Sequence, residues 1–254
     1  MTTAAPILPA FADVLSAAAR IAPHAHRTPV LRSQSLDDIA GCALFFKCEN
    51  LQRVGAFKFR GACNAIFSLD DATAARGILT QSSGNHGAAV ALASRLRGVS
   101  ATVVVPEGAP AVKLAAIAGY GARIVRCAPT MAARNATAAA LVEQSGAHLV
   151  HPFDDAQVIA GQGTVAMELL RSEAGLDALL APVGGGGLLS GCALAARALQ
   201  PGIEVWGAEP TGAADAHASL REGRCITDMV ANTACDGLRG HLAPRTLARL
   251  QRDI

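Results

Sequence analysis

Residues 178–199 read ALLAPVGGGGLLSGCALAARAL, from Ala178 through Gly184-Gly185-Gly186-Gly187 to Leu199. A short β-rich run, Ala178–Pro182, leads into four glycines. A stretch rich in Ala and Leu, Gly187–Leu199, then reads as a helix, and a second β-rich run follows at Glu204–Ala208. Strand, glycine turn, helix, strand is the pattern of a βαβ unit, whose right-handed crossover makes the two strands parallel. The same rhythm extends upstream. Strands are expected at Ala43–Cys48, Gly77–Gln81, Ala101–Val105, Arg123–Cys127 and His148–His151. Helices are expected at Lys58–Ser68, Asn85–Arg97, Ala111–Ala118, Thr130–Gln144, Ala156–Ser172 and Ala213–Arg221. The class is α/β, and no period of about 20–50 residues suggests a solenoid or propeller.

Open α/β sheets bind ligands beyond the carboxyl ends of their strands, where helix N-termini leave backbone N–H groups free. Two junctions of this kind are rich in small residues: Gln81-Ser82-Ser83-Gly84-Asn85-His86-Gly87 and Val183-Gly184-Gly185-Gly186-Gly187-Leu188. Four glycines can turn several amides onto one anion without side-chain obstruction, so a phosphate is the natural guest. The alternative is a plain turn or close helix–sheet packing. The spacing matches neither the dinucleotide nor the nucleoside-triphosphate glycine signature.

Composition narrows the function further. With 254 residues, 51% hydrophobic and 17% charged, the chain suits one large domain or two closely packed ones, and neither disorder nor low complexity fits. A net charge of +2 gives no field for nucleic acid or an anionic membrane. Small molecules are the better partners. Seven scattered cysteines without a CxxC pair indicate a reducing compartment rather than a disulfide framework. With neither a signal-peptide pattern nor an apolar run long enough to span a bilayer, the expected location is cytoplasmic.

Of 22 basic residues only Lys47, Lys58 and Lys113 are lysines, so a mechanism that needs an amine has three candidates. Lys58 lies between Phe57 and Phe59 in the first turn of an expected helix. Apolar surroundings and a helix N-terminus both disfavour the ammonium and free the amine to attack a carbonyl. An isolated lysine at a helix start is ordinarily a solvated charge. Here the scarcity of lysine and the glycine loop weigh the other way, because pyridoxal phosphate (PLP) requires both a Schiff-base lysine and a phosphate cradle.

Six motifs occur here in the order seen in the serine/threonine dehydratase and serine racemase family. They are Lys47-Cys48-Glu49-Asn50-Leu51-Gln52, Phe57-Lys58-Phe59-Arg60-Gly61-Ala62, Ser83-Gly84-Asn85-His86-Gly87, His151-Pro152-Phe153-Asp154-Asp155, Ile159-Ala160-Gly161-Gln162-Gly163-Thr164 and Gly184–Gly187. The chain resembles that family, PLP enzymes of fold type II related to the tryptophan synthase β chain, from about His26 to Arg249. The resemblance implies two open, twisted α/β domains with the cofactor in the cleft between them. Residues 1–67 and 148–254 would form the large domain, and 68–147 a small domain that closes over substrate.

Position by position, the resemblance makes Lys58 the cofactor lysine, Phe57 the aromatic flanking the ring, Asn85 the partner of the 3′-oxygen, and Gly184, Gly185, Gly186 and Gly187 the phosphate loop. Ser82, Ser83, Asn85 and His86 would hold the substrate carboxylate, with Ser83 opposite the lysine in racemising members. It implies that the freed Lys58 amine takes the Cα proton while PLP stores the electron pair. Loss of a β-hydroxyl then yields ammonia and a 2-oxo acid. Reprotonation from Ser83 would give racemisation instead.

Glu209, Ala213 and Asp215 match the oxygen ligands of a divalent cation in metal-dependent members; Mg²⁺, Mn²⁺ or Ca²⁺ would suit such a set. On residues alone, two loop carboxylates read as solvated surface. Arg134 aligns with an arginine that approaches a second substrate carboxylate, which would admit 3-hydroxyaspartate, although an exposed helix arginine is an equal reading. His24, His26, His148, His151 and His217 show no ligand spacing. The expected activity is an ammonia-lyase on serine, threonine or 3-hydroxyaspartate, with an amino-acid racemase second. Phe153 with the following Asp154-Asp155, and Gly240 where racemases often keep a serine, tilt toward the lyase. Homodimerisation is a further implication. The chain ends at Gln251-Arg252-Asp253-Ile254, before the glycine-rich strand end whose Ser, Thr or Cys bonds the pyridine nitrogen in the family. The expectation is therefore a shortened large domain, and a catalytically silent PLP or amino-acid binder is a third reading.

Overall fold

The computed structural model describes residues 7–254. Along the chain run α1 (Phe11–Ile21), β1 (Val30–Leu31), α2 (Gln34–Ala40), β2 (Phe46–Lys47), α3 (Lys58–Phe67), α4 (Asp71–Ala75), β3 (Ile78–Gln81), α5 (Asn85–Arg97), β4 (Ala101–Pro106) and α6 (Ala111–Gly119). They are followed by β5 (Arg123–Cys127), α7 (Met131–Ser145), β6 (His148–Leu149), α8 (Ala156–Ser172), β7 (Ala178–Pro182), α9 (Gly187–Leu199), β8 (Glu204–Ala208), α10 (Asp215–Glu222) and α11 (Pro244–Asp253). Four parallel strands form one sheet in the order β5-β4-β3-β6, and β7 pairs in parallel with β8.

Inner strand β4 shows why its sequence is continuously apolar. Val103 and Val105 pack with α5 and α6 on one face, through Ala88, Ala91, Leu114 and Ile117. Val104 packs with Leu79, Cys127 and Ala138 on the other. A parallel sheet covered by helices on both faces needs apolar side chains at successive positions, not alternate ones. A larger core joins α1, α8, α9, β7, β8 and α11 around Val14, Leu189, Ile203 and Leu250.

Local chemistry sets the helix ends. Asp155 Oδ1 accepts from the amides of Gln157 and Val158 and so starts α8, a cap whose loss costs about 1 kcal/mol. The Gly98 and Gly146 backbones, at φ +76° and +67°, stop α5 and α7 in the left-handed region that favours glycine. Glycines on α8 and α9 permit close backbone contact between α8 and both its neighbours. A Cβ on Gly161 would lie 2.7 Å from Arg60 O, and one on Gly191 would lie 2.4 Å from Ile159 O. Helix α8 therefore holds α3 on one side and α9 on the other.

The run Ala43–Cys48 departs from expectation. Only Phe46–Lys47 is strand, and it pairs antiparallel with β1 in a separate two-stranded sheet. The start of the run is drawn to α2 instead, where Asp37 Oδ1 accepts from the Leu44 amide. The expected strand His148–His151 ends at Leu149, and the helix expected from Ala213 begins at Asp215 after a 3₁₀ turn at Thr211–Ala213. Helices α1, α2, α4 and α11 add to those read from the sequence.

Candidate active site

The segment Val150–Asp154, which carries the chain from β6 into α8, gathers the site. Lys58, at the first position of α3, donates from Nζ to Pro152 O at 2.8 Å. Its side chain is partly open to the cleft, yet enough protein surrounds the amine that burial lowers its pKa from 10.5 to about 8. A medium of low polarity disfavours the ammonium, and the carbonyl it touches is neutral and offsets little of that cost. The Phe57 ring centroid lies 5.2 Å from Nζ.

Directly beyond Pro152, the Phe153 ring lies against the glycine loop. A Cβ placed on Gly185 would come within 2.3 Å of that ring, and one on Gly187 within 2.9 Å of Phe153 Cβ. Gly186, at φ +82°, caps α9. Among the described residues the amides of Gly184, Gly185, Gly186 and Gly187 have no acceptor. Unpaired amides converging at a helix N-terminus are what an anion requires. Loop residues Gly237 and Leu238 close over Gly184.

The serine loop reaches the same segment from the other side. Gly84 caps α5, Ser82 Oγ accepts from the Gly84 amide at 3.3 Å, and Ser83 and Asn85 make no side-chain hydrogen bond among the described residues. His86 is 2% exposed, with Nε2 at 3.3 Å from Val150 O and Nδ1 buried without a partner. Burial holds its pKa down at about 3, so the ring is neutral and its Nε2 proton points at the carbonyl. His151 is likewise kept below its ordinary pKa, chiefly by burial, while its Nδ1 accepts from the Asp154 amide at 2.8 Å. Asp154 in turn accepts from Arg245 of α11 at 2.8 Å. Sequence reasoning missed this role of Pro152 and Phe153 as the junction of lysine, serine loop and glycine loop.

The expected cation ligands lie together at the start of α10. Glu209 accepts from the amides of His217 at 2.7 Å and Ala216 at 3.2 Å. Asp215 is 3% exposed, its Oδ2 has no hydrogen bond, and His241 Nδ1 stands 3.5 Å away. Burial raises both carboxyl pKa values, and Asp215 raises that of Glu209 further. Among the described residues no three His, Cys, Asp or Glu side chains form a metal cluster. A cation here would rest on two carboxylates and the Ala213 carbonyl. On α7, Arg134 carries a buried, unpartnered Nε, as Gln81 at the end of β3 carries an unpartnered Oε1.

Two cavities, of about 240 and 260 Å³, lie outside this cleft, one beside Arg95 and Tyr120 and one between α1 and α8. No helix among the described residues is long and apolar enough to cross a membrane, and all seven cysteines are free.

An amine with a lowered pKa, set beside unpaired amides that suit a phosphate, defines an enzyme that works through a carbonyl cofactor bearing a phosphate. The chain belongs to the family of pyridoxal-phosphate dependent enzymes, which it matches over residues 21–254. It is 50% identical over 238 residues to a serine racemase of Arabidopsis thaliana, covering 92% of this chain and 72% of the relative. It is 47% identical over 249 residues to an L-threo-3-hydroxyaspartate ammonia-lyase of Saccharomyces cerevisiae, covering 98% and 76%. The structure of maize serine racemase superposes with a TM-score of 0.96 at 44% identity, covering 98% of this chain and 75% of that one.

Proposed function

We propose that this protein is a PLP-dependent ammonia-lyase that converts a β-hydroxy L-amino acid, serine, threonine or 3-hydroxyaspartate, to a 2-oxo acid and ammonia. The observation that carries the reading is the Lys58 amine, its pKa lowered to about 8, held by the Pro152 carbonyl on the segment against which both the serine loop and the glycine loop with its unpaired amides pack. The similarity to a hydroxyaspartate ammonia-lyase supports it. A panel of L- and D-serine, L-threonine and both 3-hydroxyaspartate diastereomers, assayed for ammonia and 2-oxo acid, tests it. Absence of ammonia from every member would leave a racemase or a binding protein.

When bound, PLP withdraws electron density from the substrate Cα. Gly184–Gly187 would hold its phosphate, Asn85 its 3′-oxygen and Phe57 one face of its ring. Lys58 acts as the general base, because an amine with a pKa of about 8 is both available and basic enough near pH 7. Ser82, Ser83, Asn85 and His86 bind the substrate carboxylate at the N-terminus of α5, where free amides and the helix dipole favour an anion. Closure of residues 68–147 over the cleft excludes water from the carbon acid. Arg134, with its unpartnered Nε, suits a second carboxylate. A homodimer in the cytoplasm is the setting this reading implies.

Racemisation is the second reading, favoured by the Ser83 hydroxyl, which has no partner among the described residues, and by the similarity to serine racemases. In Ser83→Ala, L-serine deamination persists within about tenfold while D-serine formation falls by at least about 100-fold, in line with loss of a single positioned acid. Joint loss of both would contradict this division of roles.

Two carboxylates whose pKa values are both raised by burial fit a divalent cation, held by Glu209, Ala213 and Asp215. EDTA-treated protein then gains stability on adding Mg²⁺ or Mn²⁺. At about 100 times Kd the gain is about 2.7 kcal/mol, or about 5–10 °C in melting temperature at this chain length. Glu209→Gln and Asp215→Asn lose that increment; an unchanged increment in both would remove the site.

A further inference from the structure

We infer that Arg60 is a positioning residue for the reaction, and that the ion network of Lys47, Glu49, Arg60 and Glu168 sets the place of the Lys58 amine. The inference rests on reading Lys58 as the catalytic amine.

Arg60 is fully buried and sits on α3 two positions after Lys58. Two residues along a helix are separated by roughly 200°, so lysine and arginine project from nearly opposite sides. The amine faces the cleft, and the guanidinium faces α8 and the segment before α3. Arg60 Nε and Nη2 donate to Glu49 Oε2 and Oε1, both at 2.8 Å, and Nη1 and Nη2 donate to Glu168 Oε1 at 2.7 Å and Oε2 at 2.9 Å. Thr164 Oγ1 and His26 O accept at 3.2 Å. All five N–H groups are thus engaged. Lys47 Nζ donates to Glu168 Oε2 at 2.6 Å and to Thr28 O at 2.7 Å, and Thr28 Oγ1 donates to Glu49 at 2.6 Å. Two cations and two carboxylates cancel, so the network imposes little net field on the cleft.

What it imposes is geometry. Two paired forks fix the rotation of α3 about its axis, a constraint that one ammonium cannot supply. A lysine amine about 8 Å from that axis moves about 1 Å when the helix turns by about 7°. A displacement of that size costs about 100-fold in rate. The titratable neighbours of Lys58, His86 on α5 and His151 before α8, are both kept neutral by burial, so the environment of Lys58 depends on where α3 holds it.

The test compares wild type with Arg60→Lys and with the double variant Lys47→Gln/Glu168→Gln, in which one cation and one carboxylate leave together and the network stays neutral. Glu168 and Thr164 border the 260 Å³ cavity between α1 and α8, so an amide at position 168 can be hydrated, and that variant is expected to fold if Arg60→Lys does not. Cofactor-free protein is labelled with PLP and borohydride across pH, and the Lys58 peptide is quantified by mass spectrometry. The wild-type midpoint lies near 8; in the folded variants it moves up by at least one pH unit. In loaded enzyme, kcat for ammonia release from L-serine falls about 100-fold with KM within about threefold. A merely structural role would lower melting temperature and leave the midpoint in place. An unmoved midpoint in Lys47→Gln/Glu168→Gln overturns the inference, whatever its activity. Lack of ammonia release by wild type would count against the lyase reading alone, since the labelling midpoint is read without turnover.

Discussion

Lys58→Ala, loaded with PLP, releases ammonia from β-hydroxy amino acids about 10⁴-fold more slowly than wild type, the upper range for loss of a positioned acid–base group. The absorbance band near the visible edge that borohydride removes from wild type is absent in the variant. Neither Lys47 nor Lys113 can substitute. Lys47 Nζ is committed to Glu168 and Thr28, and Lys113 pairs with Asp236 at the surface. Retention of that band in Lys58→Ala would mean that another amine holds the cofactor.

The same lysine carries a stability signature whose sign follows from its pKa. Burial holds the folded group at about 8, against 10.5 ordinarily. Between those values the unfolded chain binds a proton that the folded one has released, so this group makes stability rise with pH across that window. Below about 8 both states are protonated and the buried ammonium burdens only the folded one. Cofactor-free Lys58→Met therefore melts higher than wild type at pH 7, and the difference shrinks toward pH 10.5. A difference that is flat with pH would show that the amine is not desolvated.

Much of this arrangement was legible because its chemistry is local. The serine and glycine loops each follow a strand and open a helix, so adjacent residues announce them, and β7, α9 and β8 lie where the periodicity puts them. Helix α11 was not legible. Between Pro244 and Asp253 its apolar side chains are few, and it buries Arg249 against Asp253 at 2.9 Å, a pairing invisible to hydropathy. The partners of Arg60 lie 11 and 108 residues away, and no spacing rule links them. Pro152 acts through its backbone carbonyl, which no residue type advertises. The short β2 failed for a related reason: an apolar run indicates burial, whereas the tertiary partner decides whether the buried chain becomes strand.

The contact between Phe153 and the glycine loop separates the two readings of that loop, and Gly185→Ala tests it. If the glycines merely made a flexible turn, one methyl would be tolerated and could even stabilise the chain. The geometry leaves no room for it. The added carbon falls 2.3–2.4 Å from Phe153 Cδ1, Cε1 and Cγ, and the Phe153 backbone is packed so closely on Gly187 that a Cβ there would lie 3.1 Å from Phe153 Cα. The ring cannot retreat freely either, since it stands edge-on to His151 with centroids 4.7 Å apart. Relief must come from turning the ring into the cleft or from displacing the loop, and each disturbs the amides of Gly184–Gly187. Overpacking of this kind costs about 1–3 kcal/mol, which corresponds to a cofactor Kd raised by about 5- to 150-fold. Gly202→Ala, where nothing lies within 4 Å, leaves the Kd unchanged. Adding Phe153→Ala to Gly185→Ala removes the clash and restores a large part of the loss, a coupling that double-mutant analysis reads directly. Wild-type affinity in Gly185→Ala would mean that the loop yields at no cost, and its glycines would then serve flexibility and not the shape of a phosphate site.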